Sequence, residues 1–218
     1  MTLPFAIVGF DLDGTLLDTS RDLGAALNHA LGTVGRAAVP YEQVKNLIGG
    51  GSGLMLRRAL ALTGGDEGIA FEALRRVLVS YYADNIARHT ALFPGGAEML
   101  DELAAHGVKL AVVTNKPHDL AVRLFDELGL SHRFAAIIGG GIHPLKPAPD
   151  ALHAMARQCG GGRAAYVGDT TFDTGAARAA GMPCVAVSFG FNDLPAHELG
   201  ADAVIDHFGA LVPALARL

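Results

Sequence analysis

The chain has 218 residues, half of them hydrophobic and 18% charged, with a mean hydropathy of +0.32. That composition suits one well-buried domain with an insertion and excludes a disordered chain. The net charge is −5, from 17 basic and 22 acidic residues with no basic run, which argues against nucleic acid as a partner because phosphate backbones need clustered Lys and Arg.

The first strand is predicted at "FAIVGF" (5–10), an apolar run that ends in Asp11 and Asp13 with Gly14 behind them. From about residue 17 to 89 no strand is evident. The stretches 21–35, 41–48, 52–62 and 67–86 all carry helical spacing. Some seventy residues of helix between two strands predict a separate small helical cap domain (17–89), hinged near Leu16–Asp18 and near residues 89–96, and placed to act as a lid. Within it, "GGGSG" (49–53) reads as a flexible turn between cap helices, although the same run could present backbone N–H groups to an anion.

After the cap, strands at 108–114, 134–140, 164–169, 183–188 and 201–206 alternate with helices that close on glycine. Near-continuous apolar strands alternating with helices predict an α/β core, a doubly wound parallel sheet covered on both faces, over residues 1–16 and 90–218. The N-terminus lacks the basic start of a signal peptide and no apolar run spans a membrane, so a cytoplasmic protein without a membrane partner is expected. Cys159 and Cys184 are expected to be separate, reduced and buried.

In open α/β sheets ligands bind beyond the carboxyl ends of the strands. The residues predicted there are Asp11 and Asp13, then Thr114, Asn115 and Lys116, then Lys146 in "HPLKPAPD" (143–150), then Asp169 and Asp173 in "GDTTFD". Each alone has an ordinary reading: a helix cap, a turn or a solvated lysine. Four carboxylates converging on one sheet end repel one another unless a cation resolves them, and hard oxygen donors point to Mg²⁺. Asp169 and Asp173 stand one helical turn apart and can face one point.

The order D-x-D-G-T, T-N, K-P, G-D-x-x-x-D resembles the haloacid dehalogenase-like superfamily of phosphatases, whose helical cap is inserted after the first motif. Residues 93–117, 187–193 and 201–211 are similar to bacterial phosphoglycolate phosphatases; the glycine-rich segment 139–150 is more compressed than their usual loop. The resemblance implies a Mg²⁺-dependent phosphomonoester hydrolase acting on a small phosphorylated metabolite, 2-phosphoglycolate first. Another small phosphate (a sugar phosphate, nucleotide or pyrophosphate) or a phosphomutase is the alternative.

By the same resemblance Asp11 is the nucleophile that becomes an aspartyl-phosphate, and Asp13 is the acid and then the base. The metal ligands are Asp11, Asp13 through its carbonyl, and Asp169, with Asp173 behind them. Thr114, the Asn115 backbone and Lys146 grip phosphate, and Gly14 allows the tight turn beside it. Lys116 is expected in solvent at a helix start, with substrate contact as the alternative. Either Arg57 or Arg58 could meet a substrate carboxylate, but adjacent residues cannot share one helix face. A monomer or homodimer is compatible with the sequence.

Overall fold

A computed structural model describes residues 3–218. Strand β1 (Ile7–Phe10) is followed by a two-residue strand β2 (Leu17–Asp18) and by helices α1 (Ser20–Thr33), α2 (Tyr41–Val44), α3 (Gly51–Leu62) and α4 (Phe71–Asp84). The chain then returns through β3 (Ala91–Leu92), α5 (Gly96–Ala105), β4 (Lys109–Pro117), α6 (His118–Glu127) and β5 (Ala136–Gly140). It ends through α7 (Asp150–Gln158), β6 (Ala164–Gly168), α8 (Thr171–Ala180), β7 (Cys184–Val187), β8 (Ala203–Ile205) and α9 (Leu211–Leu215).

Six strands form a parallel sheet in the order β5-β4-β1-β6-β7-β8. Every residue of β1 is buried, as expected of a central strand in a parallel sheet. Its side chains alternate between two apolar clusters. Val8 and Phe10 join Val112, Val167, Leu100 and Phe125 on one face, while Ile7 joins Ala111, Tyr166, Leu152 and Met155 on the other. The first cluster continues into Leu27, Leu56 and Leu78, so the helical insertion packs against the core. Truncating a fully buried side chain such as Phe10 to alanine would cost about 3–5 kcal/mol.

From β1 the chain builds outward to β5 on one side, then crosses back to build β6, β7 and β8 on the other. The crevice where the order switches therefore lies beyond the carboxyl end of β1, flanked by β4 and β6. The doubly wound α/β core with a helical cap after the first strand is borne out. One feature departs from expectation: the segments entering and leaving the insertion are not bare hinges but pair with each other as β2 and β3, Leu17 opposite Leu92 and Asp18 opposite Ala91. Two rungs are too short for any alternation to show in sequence. Cys159 and Cys184 are free and buried, as expected. Among the described residues no helix is long and apolar enough to cross a membrane.

Candidate active site

Asp11 directly follows β1, and its backbone N–H still donates to Val167 O of β6 at 2.9 Å, so the ladder itself aims the carboxylate into the crevice. The chain then turns sharply: Gly14 N–H donates to Leu17 O at 3.0 Å, with Gly14 at φ +88°. A Cβ at Gly14 would stand 2.3 Å from Asp169 Oδ2, so both the left-handed backbone and the close approach require glycine. On the neighbouring strand, β4 advances four residues from Val113 to Pro117 while β5 advances two. That bulge holds Thr114, Asn115 and Lys116, and re-aims their side chains toward the crevice. Gly139 and Gly140 receive it: a Cβ on either would lie 2.8 Å or less from the backbone of β4 or His118. The glycine-rich stretch before Lys146 therefore has a packing reason.

Asp11, Asp169 and Asp173 converge so that one carboxylate oxygen of each lies within 4.8 Å of the others. All three are at most 5% exposed. Lys146 Nζ reaches into this cluster, 2.8 Å from Asp11 Oδ1 and 2.6 Å from Asp173 Oδ1, and donates to Val113 O and to the Tyr166 hydroxyl. Asn115 clamps the lysine's backbone from both sides, accepting from Lys146 N at 2.8 Å and donating to Lys146 O at 3.1 Å. Asp173 is fully committed. Its second oxygen accepts from Asp169 N, Thr170 N and the Thr170 hydroxyl, closing a capping box at the start of α8. The N-cap is thus Thr170, not Asp169. Asp169 itself accepts from Thr15 Oγ1 and Phe191 N, both at 2.7 Å.

Three buried carboxylates against one ammonium leave two negative charges. Burial is the largest influence on Asp11 and, with Asp173 and Asp13 adding to it against the pull of Lys146, raises its carboxyl from 3.8 to about 6. Burial, then Asp173 and Asp11, hold Asp169 well above the ordinary range. Burial alone would lower Lys146, but the two carboxylates outweigh it and keep it charged. A divalent cation restores neutrality, and the donors suit Mg²⁺: they are all oxygens, and Asp11 Oδ1 is buried with no partner among the described residues beyond its ion pair with Lys146. With Asp173 committed elsewhere, Asp11 and Asp169 are the carboxylates able to hold such an ion.

The Asp13 carboxylate lies outside that cluster. Its Oδ1 accepts from Thr19 Oγ1 at 2.7 Å and from Lys116 Nζ at 2.8 Å. Lys116 is 5% exposed, with its ammonium over the Tyr82 ring of α4 at 4.4 Å, so the expectation of a solvated lysine is wrong. Its partners lie far off in sequence, in Asp13 and in the cap. Burial opposes the charge on Lys116, but Asp13 and Tyr82 together outweigh it and raise the ammonium's pKa. Among the described residues Arg57 and Arg58 make no ion pair with the site's carboxylates; Arg57 stacks over Phe71 at 4.3 Å beside a neighbouring pocket that Asn115 also lines, and Arg58 donates to the carbonyls of Leu47 and Ile48. "GGGSG" is a turn only in part: Gly49 and Gly50 bend the chain ahead of α3, Gly51 opens the helix, and Gly49, Gly51 and Ser52 line a cavity of about 40 Å³ with Asp11, Asp13 and Lys116. Sequence reasoning gives no role to Thr15, Tyr166 or Tyr82. A tyrosine inside the otherwise aliphatic run "AAYVG" is the one available signal for Tyr166.

The family model of the haloacid dehalogenase-like hydrolases matches residues 8–187. The phosphoglycolate phosphatase of Agrobacterium fabrum is 42% identical over 217 residues, covering 97% of this chain and 92% of that protein. The phosphoglycolate phosphatase of Caulobacter vibrioides is 39% identical over 208 residues, covering 93% and 87%. Among solved structures, one described as a predicted phosphoglycolate phosphatase from Haemophilus somnus superposes with a TM-score of 0.88 at 30% identity, covering 96% of this chain and 97% of that one. The chain belongs to the haloacid dehalogenase-like hydrolase family and is one of its phosphatases.

Proposed function

We propose that this protein is a Mg²⁺-dependent phosphatase of 2-phosphoglycolate that works through an aspartyl-phosphate on Asp11. The observation that carries the reading is the buried cluster of Asp11, Asp169 and Asp173 around Lys146 at the switch point of the sheet. The phosphoglycolate phosphatases among its relatives support the choice of substrate.

In this reading Asp11 and Asp169, with the Asp13 carbonyl, hold the ion, which supplies positive charge for a dianionic substrate. A carboxylate oxygen of Asp11 attacks phosphorus, and the bond from phosphorus to the ester oxygen breaks with its electron pair going to that oxygen. Asp13 delivers the proton the departing alkoxide needs. It then takes a proton from the water that attacks the acyl-phosphate, returning Asp11 and releasing phosphate. The Thr114 hydroxyl, the Asn115 N–H and Lys146 receive the phosphoryl oxygens, where charge concentrates in the transition state. Residues 17–89 form the lid that excludes water while the ester bond breaks.

Released inorganic phosphate, measured over a panel of phosphorylated metabolites with Mg²⁺, tests this. Phosphoglycolate should lead the panel, and exhaustive chelation should abolish turnover. Equal low rates across unrelated substrates would refute the substrate assignment, and activity surviving chelation would refute the metal site.

A further inference from the structure

The cavity between Asp13 and the cap helices contains three features that phosphoryl transfer does not use. Lys116 Nζ donates to Asp13 and stands over the Tyr82 ring, and these neighbours do not match all three of its N–H groups. Beside it the Tyr82 hydroxyl is buried with no hydrogen-bond partner among the described residues. An orphaned buried hydroxyl is costly, and pairing Lys116 with Asp13 does not account for it. The third wall is the start of α3, a twelve-residue helix whose N-cap Gly50 offers no side-chain acceptor. Its first residues, Gly51 and Ser52, line the same space. An unsatisfied helix N-terminus favours an anion. Three donors thus face one cavity otherwise lined by Leu23, Met55 and Leu78, where an anion entering would lose its water.

We propose that these groups form a carboxylate subsite: Lys116 Nζ, the Tyr82 hydroxyl and the N–H groups opening α3 receive a carboxylate attached one methylene from the ester oxygen. The proposal rests on the phosphatase reading above and deepens it. Its geometry follows from Asp13, which must meet the ester oxygen to protonate it. Because Lys116 Nζ lies 2.8 Å from Asp13 Oδ1, a group one carbon beyond that oxygen falls beside the lysine. A carboxylate bound there accepts from core and cap together, so the acid group of the substrate joins the two. A substrate without it leaves the donors unmatched, and a site built to hydrogen-bond a group rejects analogues that lack it.

The test uses the Mg²⁺-supplemented protein with 2-phosphoglycolate and ethyl phosphate, which replaces the carboxylate by a methyl group. The readout is the ratio of their kcat/KM values. The unaltered protein should favour phosphoglycolate strongly. Lys116→Met should lower that ratio by at least about 30-fold, Lys116→Arg should restore most of it, and Tyr82→Phe should lower it by about 5–10-fold, chiefly through KM. Equal losses on both substrates in Lys116→Met and Tyr82→Phe would overturn the subsite, because those residues would then serve Asp13 or the fold. No preference in the unaltered protein would instead overturn the phosphoglycolate reading and the subsite with it, so the two failures are distinguishable.

Discussion

Replacing the attacking aspartate should make the metal-free protein more stable. Asp11 is ionised at neutral pH in a place that disfavours its charge, since burial raises its carboxyl from 3.8 to about 6. Because the native state holds that proton more tightly than the unfolded chain, the cost of ionisation is absent below about pH 4, grows toward pH 6 and is complete above it. Keeping the carboxylate charged in that setting costs the folded state about 3 kcal/mol. Asp11→Asn removes that cost while keeping the shape of the side chain. Lys146 loses one carboxylate but keeps Asp173 at 2.6 Å and the Tyr166 hydroxyl at 2.9 Å, so the offset is partial. A net gain of about 1–3 kcal/mol raises Tm by roughly 3–9 °C in a chain of this size. The assay is thermal denaturation of both proteins with a chelator, at about pH 7.5 and again near pH 4. The gain should vanish at the lower pH, and at neutral pH it should shrink when saturating Mg²⁺ stabilises the unaltered protein. Equal or lower stability of Asp11→Asn at neutral pH, or a gain independent of pH, would refute the reasoning.

Lys146→Met strands three buried carboxylates without their ammonium. It should cost about 3–5 kcal/mol in denaturant unfolding at neutral pH and abolish turnover. Gly14→Ala combines a φ of +88° with a Cβ 2.3 Å from Asp169 Oδ2. Strain and displacement together should lower kcat by about 100-fold, with a stability loss of at least about 1 kcal/mol. Asp22 of α1 accepts from His89 N, Thr90 N and the Thr90 hydroxyl at 2.7–3.1 Å. Asp22→Ala leaves those donors unmet and should destabilise the protein by about 2–3 kcal/mol, read by the denaturation midpoint.

The core residues of the site were legible because each closes an apolar run or sits in a short motif: Asp11 after "FAIVGF", Thr114 after "VKLAVV", Asp169 after "AAYVG". Strand ends are where a parallel sheet delivers side chains, so reading the strands nearly sufficed to read the site. Lys116 escaped because its partner is 103 residues away and its other neighbour, Tyr82, lies in the cap. A lysine beside Pro117 at a helix start has a local signature of solvent exposure, and tertiary contacts override it. Gly51 misled for the opposite reason. Glycine-rich composition signals a loop, which Gly49 and Gly50 do form, yet Gly51 opens a helix close to Asn115, where a Cβ on it would stand 3.6 Å from the Asn115 carbonyl. Arg57 and Arg58 drew attention by charge alone, and charge says nothing about which way a helix turns it.

The two-rung ladder of β2 and β3 fastens the chain's departure from the sheet to its return. On the lid reading, all four insertion helices then swing about one doorpost. Tyr82 and the start of α3 approach or leave Lys116 in the same movement, so gripping the substrate's acid group and sealing the chamber become one event rather than two. Substitutions at the doorpost should therefore shift selectivity and water exclusion together, and neither property can drift far without the other.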